Sequence, residues 1–173
     1  FSAIVLLRAN IFIWYGLFLT ASLVYSFISF GFMYQFITGS LPATNDVLRT
    51  YALLLISILM LRFSQVFLKS KEVIPTVHHI ITTIIWIELL FLVSSFFILQ
   101  TFRTNFNQIF PWFLTLIFGG YALILTAAWF SRRRYRLRAN AFLLAFTFSL
   151  LGGMTLILTD LNFLAYTPFT IHA

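Results

Sequence analysis

Five long apolar stretches restrict the fold of this chain more than any other feature of its sequence. Each holds about 20 or more residues with almost no charge, which is the helix length that crosses the hydrocarbon core of a bilayer. None shows the alternation of apolar and polar residues that a membrane β-strand requires. The stretches are approximately residues 11–37, 48–68, 76–99, 109–130 and 140–160. We therefore predict an all-α fold, a polytopic transmembrane helical bundle with five full spans.

The composition excludes the soluble alternatives to this fold. Hydrophobic residues make up 61% of the chain and charged residues only 9%, whereas soluble domains carry about 25% charged residues. A soluble enzyme and a disordered chain are both incompatible with these values. The chain has no cysteine, so a disulfide framework and a thiolate metal site are excluded as well.

The first residues predict a partial span before the five full ones. Phe1–Leu7 is apolar and ends at Arg8, and seven residues are too few to cross a bilayer. We predict that this segment is the tail of a truncated helix and that residues 7–10 form a linker. We expect residues 1–173 to form a single transmembrane domain, a fragment of a seven-helix unit. The fragment would lack most of the first helix and all of the seventh.

The loop charges predict the orientation of the chain. If the loops alternate between the two sides, two cations lie on one side, Arg49 and Arg103. Eight lie on the other side: Arg8, Lys69, Lys71, Arg132, Arg133, Arg134, Arg136 and Arg138. Since Lys and Arg collect in cytoplasmic loops, we predict that the second side is cytoplasmic.

The densest charge cluster is the predicted cytoplasmic loop at residues 132–138, which holds Arg132, Arg133, Arg134, Arg136 and Arg138. Its simplest interpretation is an anchor that binds anionic lipid headgroups, and a second is contact with a cytoplasmic output domain. Nucleic acid is excluded as a partner, because one short loop next to a membrane offers no soluble basic face with aromatic stacking platforms.

Glu88 is the most unusual single residue, since it lies near the middle of the third full span, where an ionised group is costly. One interpretation is functional, as a proton-coupling, ligand-binding or switching group. The other is structural, as a protonated carboxyl or one hydrogen-bonded to Thr, Ser, Gln65 or Tyr. Arg62 in the preceding span is a candidate ion-pair partner, although it lies nearer the cytoplasmic face and can extend toward it.

No arrangement of residues predicts catalysis, a cofactor or a metal. His78 and His79 are adjacent and point about 100° apart on a helix, so they cannot chelate one ion together. The chain shows no nucleophile–base pair, phosphate loop or glycine fingerprint. We therefore expect that the chain is not an enzyme and holds no cofactor.

Three segments resemble a known family. They are LRFSQVFLKSKEVIPTVHH at residues 61–79, the basic loop at residues 132–138, and LNFLAYTPFT at residues 161–170. In their order along residues 1–173 they are similar to the bacterial seven-transmembrane receptors with diverse intracellular signalling modules (7TMR-DISM). The first segment is similar to the family's third segment at the cytoplasmic edge, in which Phe-Leu followed by basic residues and a Pro leads into the fourth helix.

The resemblance implies a sensor in the bacterial inner membrane. Family members often carry an extracytoplasmic domain before the first helix and a kinase, cyclase or phosphatase domain after the last. It also implies homodimerisation, because such output enzymes act in pairs. We therefore predict a sensor module that relays an extracytoplasmic signal to a cytoplasmic output domain outside this chain. The alternative is a small transporter or channel subunit with Glu88 and Arg62 in a polar path.

Overall fold

The computed structural model describes residues 2–30, 42–97 and 106–160, together with Phe32 and Gln35. These ranges contain helices and the turns between them, and no β-strand occurs within them. The helices are α1 (Ser2–Ser29), α2 (Pro42–Phe67), α3 (Ser70–Val73), α4 (Pro75–Phe97), α5 (Phe106–Ser131) and α6 (Arg136–Asp160). The predicted all-α fold is confirmed.

Four of these helices are long and apolar enough to cross a membrane. Their membrane-length segments are Asn10–Ser29, Leu48–Phe67, Pro75–Ser94 and Leu114–Ser131. They correspond to the first four predicted spans, and they make this chain an integral membrane protein. The fifth span predicted at residues 140–160 lies within α6, which is 25 residues long, and the count of five spans stays a prediction.

The first helix differs from its prediction. The structure continues α1 from Ser2 to Ser29 without a break, so the linker predicted at residues 7–10 is helical and residues 2–7 are not separated from the span that follows. The physical reason is local, since no Pro or Gly occurs before Gly16 to interrupt the helix. Helices α2 and α5 begin at Pro42 and Phe106, inside the stretches 38–47 and 100–108 that were predicted as loops. The other residues of these loops, 38–41 and 100–105, and the tail 161–173 lie outside the described residues. The same holds for residues 31, 33–34, 36–37 and 98–99 of two predicted spans.

Helix α2 is the central element of the N-terminal part of the chain, because it packs against both α1 and α4. Half of its membrane-length segment, 50%, is buried inside the protein, against 11% for those of α1 and α4. Large apolar side chains on the two outer helices are exposed, among them Phe12, Leu23 and Leu90. In a membrane protein these faces contact lipid instead of water.

Helix α5 approaches α2 closely at one glycine. A Cβ atom placed on Gly120 would lie 3.1 Å from Cδ2 of Leu61, whose side chain is fully buried. The neighbouring Gly119 has no atom within 4 Å of the same position. Gly120 therefore provides the space that Leu61 occupies, as small residues commonly do between membrane helices.

The chain forms two compact units, Phe1–Ala127 and Ala128–Ala173. The first contains α1 to α4 and most of α5. The second contains the last residues of α5, the turn at residues 132–135 and α6. The single domain predicted from the sequence stays a prediction.

Candidate functional site

Glu88 lies at the contact between α4 and α2. Its side chain is 0% exposed, and its Oε1 atom accepts a hydrogen bond of 2.9 Å from Oγ of Ser57. Ser57 is on α2 and is also fully buried. The pair therefore joins two membrane helices by a side-chain hydrogen bond, which is the cross-bundle contact that the structural interpretation of Glu88 predicted.

The second carboxyl oxygen of Glu88 has unusual surroundings for a buried polar atom. Oε2 is buried and has no hydrogen-bond partner among the described residues. Burying a polar atom without a partner costs about 1–3 kcal/mol, and an ionised carboxylate costs more. Tyr121 on α5 lies within electrostatic range of Glu88, but a phenol brings no positive charge to it.

Arg62 and Glu88 are not brought together. Arg62 follows Ser57 by five residues on α2, which places it about 7.5 Å further along the helix axis. Its Nη1 atom donates to Oε1 of Gln65 at 3.1 Å, and its guanidinium lies 5.6 Å from the centre of the Trp14 ring. Hydrogen-bond and cation–π contacts thus hold Arg62 between α1 and α2, away from the buried carboxyl.

Gln65 ties α2 to the beginning of α4. Its Nε2 atom donates to the carbonyl oxygen of His78 at 3.0 Å and to Oγ1 of Thr82 at 2.9 Å. Because its Oε1 accepts from Arg62, the buried amide donates twice and accepts once. Few other side chains could replace it, since only an amide offers two donors and an acceptor in this compact form.

The turn between α2 and α4 also contacts Gln65 and His78. We call residues 68–74 the lysine turn. Lys69 has φ 51° and ψ 43°, the left-handed conformation that ordinary residues seldom adopt. Oγ of the buried Ser70 lies 2.9 Å from Nδ1 of His78 and 3.4 Å from the carbonyl oxygen of Gln65. The turn is therefore fastened to both helices that it connects.

A second basic turn follows α5, and we call residues 132–138 the arginine turn. Its backbone is closed by hydrogen bonds to Ser131, from the N–H of Arg134 at 3.1 Å and from that of Tyr135 at 2.7 Å. Nε of Arg132 donates to Oδ1 of Asn140 at 2.7 Å. The same guanidinium lies 4.9 Å from the centre of the Trp129 ring. Arg132 thus links both ends of the turn.

The remaining arginine side chains of the arginine turn face outward. They are Arg133, Arg134, Arg136 and Arg138, and all four are exposed. Two large apolar neighbours are exposed as well, Leu137 at 86% and Trp129 at 63%. Exposed cations beside exposed apolar groups, Trp among them, fit the boundary between lipid headgroups and acyl chains.

No group of three or more residues that could ligate a metal occurs in the part of the chain that the structure describes. The rings of His78 and His79 lie 5.9 Å apart, centre to centre, at an angle of 72°. Nδ1 of His78 is engaged with Ser70, and His79 is exposed. The two histidines therefore have separate surroundings.

The sequence did not predict the cluster around Gln65. The sequence indicates Gln65 only as a possible partner of Glu88, and it indicates no role for Ser70 or Thr82. One signal was present, because Arg62 and Gln65 are three residues apart and therefore share a helix face. Two polar residues on one face of an apolar helix indicate a polar contact with a neighbouring helix.

Apolar helices that cross a membrane, polar contacts between them and two basic turns define a polytopic membrane protein. A family model described as 7TM diverse intracellular signalling matches residues 1–173. The chain belongs to this family, which confirms the resemblance in its sequence and supports a transmembrane sensor or receptor role. No curated protein and no solved structure matches the chain.

Proposed function

We propose that this chain is the membrane module of a receptor and relays an extracytoplasmic signal to a cytoplasmic output domain outside residues 1–173. The observation that carries the proposal is the family match, which extends over the whole chain. Catalysis would then belong to the output domain, and this chain would contribute no catalytic step of its own.

The contacts of Gln65 suggest how such a relay would work. Gln65 and Ser70 join α2 and α4 through their side chains, so a shift of one helix pulls on the other. Signal binding would stabilise one of two helix arrangements, and the change would reach the output domain as a small rigid-body movement.

The proposal is tested first by reading the coding sequence beyond both ends of the chain. A further helix followed by a kinase, cyclase or phosphatase domain supports it. The decisive measurement is the activity of that domain in the whole protein, with Gln65→Ala compared with Thr83→Val, which changes an exposed side chain of α4. Output that responds identically in the two variants contradicts the relay through α2 and α4.

We propose further that the protein lies in a bacterial inner membrane with both basic turns in the cytoplasm. The absence of cysteine makes the test direct, because single-cysteine variants have no background labelling. A membrane-impermeant maleimide is expected to label Lys71→Cys and Arg133→Cys in inverted vesicles only. Asn45→Cys, near the beginning of α2 on the side predicted to be outside, is the matched control and should react in intact spheroplasts. The opposite pattern contradicts the proposed orientation.

A homodimer is the proposed assembly, and the support for it is the family to which the chain belongs. Its expected signature is energy transfer between two differently labelled populations of Arg133→Cys chains in one bilayer. The transfer should persist when lipid is added in excess, because dilution separates random neighbours but not a stable pair. Transfer that falls in proportion to dilution contradicts the dimer.

One observation favours a second candidate function, a transporter or channel subunit. The unpartnered Oε2 atom of Glu88 is the type of group that ion-coupled transporters place at the membrane midplane. This candidate requires proton or solute flux in proteoliposomes that contain the chain, and loss of the flux in Glu88→Gln. The absence of flux from the unmutated chain eliminates it.

A further inference from the structure

We propose that Glu88 is a proton-binding site within the membrane, where Oε2 carries the proton and Oε1 accepts the hydrogen bond of Ser57. This inference goes beyond the relay and does not depend on it. It concerns which ligand occupies a buried group, and it applies equally if the output domain proves to be absent.

The first argument is the number of hydrogen bonds. A buried carboxylate is stabilised by several donors or by an opposite charge. Glu88 receives one hydrogen bond, from Ser57, while Oε2 has no partner among the described residues. A neutral carboxyl tolerates this environment far better than a charged one, because it carries no net charge to be solvated.

The position of the proton follows from the same contacts. The hydroxyl of Ser57 donates to Oε1, so Oε1 plays the part of the carbonyl oxygen. Oε2 is the remaining oxygen and therefore becomes the hydroxyl of the acid.

The second argument concerns the groups that face Glu88 from the other helices. Helix α2 supplies Ser57, and α5 supplies Tyr121, which in turn lies within electrostatic range of Tyr25 on α1. These groups are a hydroxyl and two phenols, and none of them brings a positive charge to Glu88. Arg62, the cation that the sequence suggested as a partner, is engaged with Gln65 and Trp14 instead.

A metal cation is a weaker candidate for the same position. Hard cations take about six or more oxygen ligands, whereas the contact between Glu88 and Ser57 offers only carboxyl and hydroxyl oxygens from two side chains. A proton needs a single oxygen, and Oε2 is available for it.

Loss of the proton has a structural consequence. The resulting carboxylate would need donors that the buried contact between α4 and α2 does not supply, so water would have to enter or the helices would have to separate. Occupancy of Glu88 by a proton is therefore coupled to the closed contact between the two helices.

Infrared spectroscopy of the chain in lipid nanodiscs tests the proposal. At neutral pH we expect a C=O stretching band of a protonated carboxyl that disappears in Glu88→Gln. The other three acidic residues, Asp46, Glu72 and Asp160, lie outside the apolar centres of the spans and should be ionised at this pH. Absence of the band from the unmutated chain overturns the proposal.

The role of Ser57 is tested by a matched pair of variants on α2. Ser57→Ala removes the hydrogen bond to Oε1 and should move the band to higher frequency. Ser64→Ala is the control, because Ser64 is equally buried but donates to the carbonyl oxygen of Met60 in its own helix. A band that stays unchanged in Ser57→Ala contradicts the assignment of the two oxygens.

The same spectra separate a proton from a metal cation. Exchange of sodium chloride for choline chloride at constant pH should leave the Glu88 band unchanged. A band that grows when sodium is removed shows that sodium competes for the carboxyl and overturns the proposal. If Glu88→Gln does not fold, the frequency shift in Ser57→Ala decides whether the band belongs to Glu88.

Discussion

The lysine turn and the arginine turn carry the same charge signal in the sequence but are built differently. In the lysine turn, Ser70 is buried and contacts His78 and Gln65, so the turn is fixed to the helices on both sides. In the arginine turn, Arg132 alone among the arginines is half-buried and bonded to Asn140. Its remaining arginines are exposed.

The two turns are therefore suited to different functions, although both are rich in cations. A turn fastened to its helices can transmit a helix movement, whereas a turn with exposed cations is suited to contact a lipid surface or a neighbouring domain. Positive charge predicts the side of the membrane on which a turn lies. The contacts of the turn show whether it is held to its helices or exposes its cations.

The largest effect is expected from Gln65→Ala, near the end of α2 that leads into the lysine turn. The substitution removes the two hydrogen bonds that Gln65 donates, to Thr82 and to the carbonyl oxygen of His78, and it leaves Arg62 without its acceptor. The carbonyl oxygen of His78 keeps the hydrogen bond from Thr82. Loss of the three hydrogen bonds should lower the free energy of unfolding by about 3 kcal/mol. Denaturant titration in bicelles measures this value. A loss smaller than that of Arg132→Ala would contradict the distinction between the two turns.

An intermediate effect is expected from Arg132→Ala in the arginine turn. It removes the hydrogen bond to Asn140 and the contact with the Trp129 ring, which should cost about 1–2 kcal/mol of unfolding free energy. Arg133→Ala is the matched control, since its side chain is exposed. Equal destabilisation by both substitutions would show that charge, not the particular contact, holds the turn.

Two adjacent threonines of α4 sharpen the comparison further. Thr82 and Thr83 each donate to the carbonyl oxygen four residues earlier, but only Thr82 also accepts from Gln65. Thr82→Val should therefore cost about 1 kcal/mol more unfolding free energy than Thr83→Val, measured in the same titration. No difference between the two variants would mean that the contact with Gln65 adds nothing to stability.

The smallest effect on stability is expected from the double variant Arg136→Gln, Arg138→Gln. Both side chains are exposed, so the unfolding transition should not move. The number of anionic lipids retained in native mass spectrometry should nevertheless decrease, because each cation near the surface attracts them by about 1 kcal/mol. Arg49→Gln, on the side predicted outside, is the control. Unchanged lipid retention in the double variant would remove lipid binding from the arginine turn.

The sequence predicted those features that depend on local composition. Stretches of about 20 apolar residues specify membrane helices regardless of their neighbours, because the backbone has no partner in lipid except itself. The start of α4 at Pro75 lies one residue before the predicted boundary at residue 76, and its reason is local too, since proline suits the first residue of a helix. The resemblance to the family, which the family match confirms, also rests on short segments of sequence such as residues 61–79.

The tertiary structure decided which polar groups meet. Glu88 had several candidate partners in the sequence, and the packing of α4 on α2 selected Ser57. Arg62 lies about 7.5 Å further along α2 than Ser57, and it contacts Gln65 and Trp14 instead. Partner choice inside a bundle depends on the register and rotation of whole helices, which sequence spacing along one helix does not determine.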